Sequence, residues 1–497
     1  MRWANFLHFY QPAGQQDDIL EAIVDQSYRP LFEGFAARPR LRLTININGS
    51  LMELFDTTKY RGLIDILRTM GKEGRLEFTS TAKFHAVLPF INEQEILRQV
   101  TLNDETNRFY LGEAYQPRGF FAPEMAYKPE LTSIIENMGF QWLILDEIAG
   151  TGGTGLIDYT KTHQIKGSSL RVFFRERRLS NLIMSAVVRS PETLKDAMKD
   201  DLASGRYMVT AMDGETFGHH RPGLHRLLLG IYDTPDFELI QVSEIEKYFP
   251  EIKEIQLIAS TWASSKEDIE RGAQFLSWSD PENVLHHLQW DFTKLVLDEV
   301  YRLAPSHPAY PIVRNKMDMA LASDHFWWAS AKPWWSLEMI EIGAFRLLDT
   351  IRQIPDVAVE RLERASNYYM EIVITAFAWQ RSGKIRSMMK EQQSMLRIPF
   401  KDRTIGRGGA EEGVYHAFID MMKDLEQKAA QTGEYEKAIL WRDALFKLEN
   451  KLDIYDTINA IDLLRVEIPH KDVEATIEKY KAKYHAIRGG QPEQRGS

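Results

Sequence analysis

The 497-residue chain contains no cysteine. That absence excludes disulfides, thiolate nucleophiles and cysteine-ligated zinc or iron-sulfur centres, so a metal would have to be held by His, Asp or Glu. There is also no uninterrupted apolar run of about twenty residues, the length a membrane-crossing helix needs, and no transmembrane segment is expected. The start, MRWANFLHFYQP, lacks the basic region, apolar run and small-residue cleavage site of a signal peptide, which makes the cytoplasm the default expectation. Positive charge is in deficit. Against 71 Asp and Glu stand 61 Lys and Arg, a formal net charge of -10, so the footprint of a nucleic-acid binder or polybasic membrane anchor is missing and neither partner is expected. Neutral substrates suit this balance better. No fixed-period repeat or low-complexity block is present.

What is present is a folded, two-part chain. A hydrophobic share of 44% and a charged share of 27% argue against extensive disorder, and the length predicts two or three packed units. The first half alternates short apolar runs (RWANFLHF, LRLTININ, RLEFTS, RGFFAP, QWLILD, LRVFFR, RYMVTAM and EIQLIAS) with amphipathic stretches such as DDILEAIVDQSYRPLFEGFA, SLMELFDTTKYRGLIDILRTM and PELTSIIENMGF. Strand and helix in alternation predict an α/β fold with a mostly parallel sheet. Beyond about residue 285 the pattern becomes helical: VLHHLQWDFTKLVLDEVYRLA, SLEMIEIGAFRLLDTIRQI, VAVERLERASNYYMEIVITAFAWQ, YEKAILWRDALFKLENKL and VEATIEKYKAKYHAI. The expected division is a catalytic domain over 1–285, a helical domain over 286–487 beside the active-site groove, and a frayed polar tail over 488–497.

Functional-looking side chains recur just after the predicted strands: His8, Asn48, His85, Glu124 and Asp213. Five strand ends of this kind point to a barrel, whose C-terminal edge holds such groups rigidly, rather than to an open sheet with one switch point. The densest segment is TAMDGETFGHH, residues 210–220, with Asp213, Glu215, His219 and His220; Gly214 and Gly218 would let the backbone turn closely around a ligand. In GFFAPEMAY, Glu124 follows an apolar strand and Pro123. Alone it reads equally as a helix cap or an Arg partner. With Asp213 it forms a pair of carboxylates on different strand ends, the pair that glycoside hydrolysis uses.

In these segments the sequence resembles glycoside hydrolase family 57, whose members act mainly on α-glucans as amylases, pullulanases, glucanotransferases and branching enzymes. FLHFYQP resembles its His-Gln-Pro region, with His8, Gln11 and Pro12. NINGSLMEL, with Asn48, Gly49, Ser50 and Leu51, and FHAVLP, with His85 and Pro89, resemble the next. FFAPEMAY places the family's nucleophile on Glu124, and MDGETFGHH its acid/base on Asp213. STWASS and FLSWSDPENVLHHLQW give Trp262, Trp278, Asn283 and Trp290 as substrate-side candidates. The resemblance implies an incomplete barrel of seven strands, so one of the eight strand predictions is expected to be peripheral. Two residues depart from the pattern: Phe121 stands where Trp is frequent, and Tyr10 where a His often precedes Gln-Pro.

The implied mechanism is a retaining double displacement without metal or cofactor, with ionised Glu124 attacking the anomeric carbon while protonated Asp213 donates to the leaving oxygen. Asp213 then needs a raised pKa. His8 and His85 are expected to hydrogen-bond glucose hydroxyls at the cleavage point, with internally satisfied histidines as the other reading, and Arg175 holds either a carboxylate, a sugar or a plain salt bridge. The four Trp of DHFWWASAKPWWSLE divide between helix packing and groove wall. Two other classes stay open: a metal-dependent polysaccharide deacetylase on a related barrel, with Asp213, His219, His220 and His8 as ligands, and a catalytically silent glycan-binding protein. Hydrolysis, transfer and branching are not distinguished by these residues, nor is oligomeric state.

Overall fold

A computed structural model of the chain describes residues 1–186, 188–332, 334–388 and 411–450. Its sheet contains β1 (Arg2–Phe9), β2 (Leu43–Ile47), β3 (Leu76–Ser80), β4 (Gly119–Phe121), β5 (Trp142–Asp146), β6 (Thr162–Ile165), β7 (Arg171–Arg175), β8 (Tyr207–Asp213), β9 (Glu238–Ile240) and β10 (Ile252–Ile255). The order is β10-β6-β7-β5-β4-β3-β2-β1-β8, with β9 beside Arg2–Ala4 of β1. Pairing is parallel throughout except between β6 and β7. β7 and β8 are far apart in that order, yet the Glu176 amide after β7 donates to Val209 O of β8 at 2.8 Å. The sheet therefore curls towards closure, a partial barrel with helices outside it.

The central strands are buried on both faces. β2 is buried at every residue and β1 from Trp3 onward, which is why these segments read as continuous apolar runs rather than alternating ones. Phe6, Phe120, Ile144, Val172 and Val209 belong to one apolar core. β4 is only three residues long because Pro123 has no N–H to continue a ladder, and the chain turns at once into the short 3-10 turn Pro123–Met125 that carries Glu124.

Seven of the eight predicted strands are found in place. EIQLIAS is the peripheral one: the strand there ends at Ile255, pairs with β6 at the sheet's edge, and leaves Ser260 to bridge Tyr127. β6 and β9 are additional, short edge pieces of four and three residues. The strands are followed by helices Val284–Arg302, Tyr310–Ala320, Leu337–Arg352 and Val359–Ser382, whose core includes Phe292, Val296, Met317, Ile340, Leu347, Ile351 and Ile372. These helices and the sheet form one unit, covering Met1–His219 and His225–Met389. A second unit takes in His220–Leu224 and the chain from Lys390; beyond Lys390 its described part is a hairpin of helices Glu411–Gln431 and Tyr435–Asn450. The predicted helix VEATIEKYKAKYHAI and the polar tail lie outside the described residues.

Candidate active site

The sheet register assembles the first part of the site. His8 of β1 is level with Asn46 of β2 and with Asp213 of β8, and Asn46 is level with Thr79 of β3. Residues level with one another on parallel strands project to the same face, so this rung carries a polar row at the C-terminal edge of an otherwise apolar sheet. His8 Nδ1 lies 2.8 Å from Asn46 Oδ1, and Asn46 Nδ2 donates to Thr79 Oγ1 at 3.1 Å. His8 Nε2 is 3.0 Å from His85 Nε2, and His85 Nδ1 is 2.8 Å from Ser323 Oγ.

The protonation pattern follows from these contacts. Burial pushes His8 down to about 4, and burial together with His8 lowers His85 well below the usual imidazole range, so both rings are neutral near pH 7. Asn46 offers its carbonyl to His8, so Nδ1 of His8 carries the hydrogen and its Nε2 accepts. His85 must then donate from Nε2 and accept at Nδ1 from the Ser323 hydroxyl. All four ring nitrogens are thereby engaged within the protein. The internally satisfied reading of His8 and His85 is the one this geometry fits.

Glu124 sits beside this pair in a backbone conformation unusual for a side-chain-bearing residue, φ 61° and ψ 15°; Met125 (φ 48°) and His85 (φ 58°) share it. Such residues cost on the order of 1–3 kcal/mol each and persist only where surrounding contacts impose them. Here Trp262 grips Glu124 twice, from Nε1 to Oε2 at 2.8 Å and from its amide to Glu124 O at 3.2 Å. The paired hydrogen bonds between Tyr127 and Ser260, 2.9 and 3.1 Å, clamp the two segments just beyond. Glu124 Oε1 is 3.9 Å from His85 Nδ1, too far for a hydrogen bond.

Asp213 ends β8 and is followed by Gly214. Burial raises Asp213 to about 6 against the opposing pull of the Arg175 guanidinium, while burial and then the charge of Asp213 raise Glu124 to about 8. The Asp213 charge felt at Glu124 puts the two carboxyls within reach of one another in a low-dielectric space. Behind Asp213, buried Glu215 accepts from Gln11 Nε2 at 3.0 Å and from the Tyr28 hydroxyl, and burial with the Asp213 charge lifts it to about 8. A further carboxyl comes from the helical segment: Asp324, raised by burial, accepts from Tyr10 OH at 2.6 Å and contributes to the shift of Glu124.

A family model for glycosyl hydrolase family 57 matches residues 6–257, just over half of the chain. The chain belongs to glycosyl hydrolase family 57. It is 27% identical over 228 residues to an α-amylase of Pyrococcus horikoshii, covering 45% of this chain and 35% of that protein. It is 28% identical over 228 residues to a 4-α-glucanotransferase of Thermococcus kodakarensis, covering 44% and 34%. The chain thus spans about a third of the length of the curated relatives it matches. Among solved structures, a family 57 branching enzyme from Thermococcus kodakaraensis superposes with TM-score 0.59 at 15% identity over 76% of this chain and 96% of that one. The 4-α-glucanotransferase of Thermococcus litoralis does so with TM-score 0.54 at 20% identity, over 70% and 58%. At these identities the likeness concerns the fold.

Within this cluster, the sequence-predicted residues divide. Glu124, Asp213, His8, His85, Gln11, Glu215 and Trp262 are linked by the contacts above. Arg175 is committed elsewhere, donating to Asp146 at 2.7 Å, to Ala211 O and to Asn181, so it acts on Asp213 by charge and not as a free sugar clamp. Asn48 donates to Ala82 O and ties the loops after β2 and β3. Trp278 is 1% exposed. Trp290 donates to Trp278 O and stacks on Phe326 at 4.0 Å. Asn283 caps helix Val284–Arg302 and donates to Ala329 O. These last three build the wall under the site. His219 is half-buried with Nδ1 2.8 Å from Gln26 Oε1, and His220 is exposed. Gly214 and Gly218 do not admit a ligand: a Cβ would fall 2.2 Å from the Phe9 ring and 1.9 Å from Gln26 O respectively, so both serve internal packing. Among the described residues no group of three His, Asp or Glu side chains is placed to hold a metal ion.

The two departures from the family pattern bear on the same histidine pair. Phe121 is fully buried with its ring 4.7 Å from His8, and Tyr10 stacks on His85 at 4.1 Å. Reasoning from sequence missed Asn46, Ser323, Asp324, Asp146 and Arg177. Arg177 bonds both Asp146 and the Trp262 carbonyl, so it holds the loop that holds Glu124.

Proposed function

We propose that the protein is a retaining enzyme of α-linked glucans, with Glu124 as nucleophile and Asp213 as general acid/base, on the incomplete seven-strand barrel formed by β7-β5-β4-β3-β2-β1-β8. The observation that carries this is Glu124, fixed in a strained turn with one oxygen tied to Trp262 and electrostatically coupled to Asp213 on another strand end. Fixing a nucleophile before substrate arrives lowers the entropy lost on reaching the transition state. Glu124 would attack the anomeric carbon as the glycosidic C–O bond breaks, with Asp213 delivering its proton to the departing oxygen. Asp213 would then remove a proton from water or from a glucan hydroxyl, which displaces Glu124 and restores the starting configuration.

Burial raises both carboxyls above their ordinary range, and the Asp213 charge raises Glu124 further, so the pair holds a proton more readily than free carboxyls do. Substrate decides which of the two carries it. A glycosidic oxygen beside Asp213 accepts a hydrogen bond only from the protonated acid, and positive charge developing at the anomeric carbon favours ionised Glu124. The relatives include both an α-amylase and a 4-α-glucanotransferase, and either acceptor fits this chemistry.

The test is to incubate wild type, Glu124→Gln and Asp213→Asn with maltooligosaccharides and amylose, with and without chelator, and resolve products by chain length. Shorter, longer or branched products that vanish in both variants and survive chelation support the reading. Wild type inert on every α-glucan overturns it.

A further inference from the structure

Helix Val359–Ser382 uses one side of its surface to pack within the chain. Ala365, Ile372, Ala376 and Trp379 are buried in the helical core. Tyr368 stacks on Phe292 at 5.7 Å, Tyr369 donates to Glu341 Oε1 at 2.7 Å, and Arg361 pairs with Glu299. The opposite side carries large apolar residues as well. Met370 is 52% exposed, Ile374 59% and Phe377 55%. Exposed Phe345 of helix Leu337–Arg352 stands beside Tyr369, ring centroids 6.5 Å apart, and extends this apolar area.

Single apolar residues scattered over a surface are ordinary, but these are not scattered. The exposed residues Glu363, Asn367, Met370, Ile374, Phe377 and Arg381 follow one another at alternating steps of four and three. That spacing averages about 3.5 residues, the period of a helix seam that packs along another helix. The seam is apolar in its middle, acidic where it begins, with exposed Glu360 one step earlier, and basic where it ends. Neither Glu363 nor Arg381 pairs with a charge elsewhere among the described residues.

The order of charges along the seam selects the partner. Ile372 lies at its midpoint, so an antiparallel copy turned about that point sets Glu363 level with Arg381, Asn367 with Phe377 and Met370 with Ile374, and a two-fold axis repeats each pairing. A parallel copy would set Glu363 against Glu363 and Arg381 against Arg381, like charges facing each other. We infer that the protein forms a homodimer through helix Val359–Ser382, packed antiparallel on the same helix of a second copy about a two-fold axis at Ile372. At 24 residues the helix is about 36 Å long, so the contact belongs to the small end of stable interfaces and a micromolar dissociation constant is expected. This interface uses none of the residues assigned to the cleft, and the two assignments fail separately.

Sedimentation velocity of the full chain from about 1 to about 100 µM should show a reversible dimer. Ile374→Glu should weaken it at least about tenfold and leave Tm unchanged, because that side chain is already exposed in the single chain. Glu363→Arg should weaken it too, and adding Arg381→Glu to the same chain should restore it. Since the chain has no cysteine, introduced ones report orientation without background. Glu363→Cys mixed with Arg381→Cys should give a disulfide-linked dimer on oxidation, whereas Glu363→Cys alone should not. A wild type that stays monomeric throughout the range overturns the homodimer, as does a dimer that Ile374→Glu leaves intact or one in which Glu363→Cys links to itself. A monomer whose Tm drops with Ile374→Glu assigns the face to a cover within the same chain and overturns it equally.

Discussion

Replacing Trp262 by Phe removes one hydrogen-bond donor from the site along with the five-membered part of the indole. The Nε1–H donor to Glu124 Oε2, 2.8 Å away, disappears, while a ring remains against Phe121 and His8 and the backbone bond from residue 262 to Glu124 O is kept. That donor favours the ionised carboxylate, opposing the burial and the Asp213 charge that raise Glu124 to about 8. A hydrogen bond to a charged group contributes about 1.5–3 kcal/mol, and one pKa unit corresponds to about 1.4 kcal/mol, so Glu124 should rise by about 1–2 units. A carboxyl whose pKa rises is ionised only at higher pH. The acid limb of kcat/KM therefore moves to higher pH by that amount, and activity near pH 7 falls about 10- to 100-fold. The assay is kcat/KM for a chromogenic maltoside across the pH range. If the limb stays where it is in wild type, or the loss is the same factor at every pH, Trp262 acts through geometry or sugar stacking and the argument is refuted.

Three further outcomes are expected. Glu215 takes up a proton on folding, since its folded value is about 8 and an ordinary Glu titrates near 4.3, so it destabilises the fold as pH rises between those values; Glu215→Gln should raise the unfolding free energy, by at most about 5 kcal/mol at pH 8 and far less at pH 5, and Tm with it. Scanning calorimetry at the two pH values checks this, and a variant less stable than wild type at pH 8 contradicts it. Tyr10→Phe keeps the ring on His85 but deprives Asp324 of its 2.6 Å donor, so kcat/KM should fall about tenfold or more, and wild-type kinetics would remove Tyr10 from the site. Asn283→Ala should lower unfolding free energy by about 1–2 kcal/mol through loss of the cap on helix Val284–Arg302; a selective rise in KM with unchanged stability would make Asn283 a sugar ligand instead.

Sequence reasoning located the sheet because buried parallel strands read as unbroken apolar runs, and β1, β2 and β5 have no other interpretation. It passed over β6 and β9 because four-residue THQI and three-residue ELI carry no periodicity and exist only through their neighbours. Glu124 and Asp213 were legible for a local reason, each being the first carboxyl after an apolar strand. Trp278, Trp290 and Asn283 were not assignable, since a Trp is equally at home in a core or under a sugar. Only the contacts show that Trp278 is buried and that Asn283 is occupied by the helix it caps.

The part of the site that no sequence signal announced is the contribution of the helical segment, and it is the part that orders the rest. His85 lies 238 positions from Ser323, and Tyr10 lies 314 from Asp324. Neither Ser323 nor Asp324 follows a strand, so strand-end reasoning could not reach them. Asn46 fixes the His8 tautomer and His8 that of His85, yet it is Ser323 that supplies the hydrogen His85 Nδ1 then accepts, and the pair lies against the turn in which Glu124 is strained. A strained turn keeps its geometry only while its surroundings impose it. The sheet alone supplies the carboxylates; with Ser323 and Asp324 docked on it, their proton and orientation are defined. A change that loosens helix Asp324–Trp327 should therefore cost activity before it costs the sheet its stability.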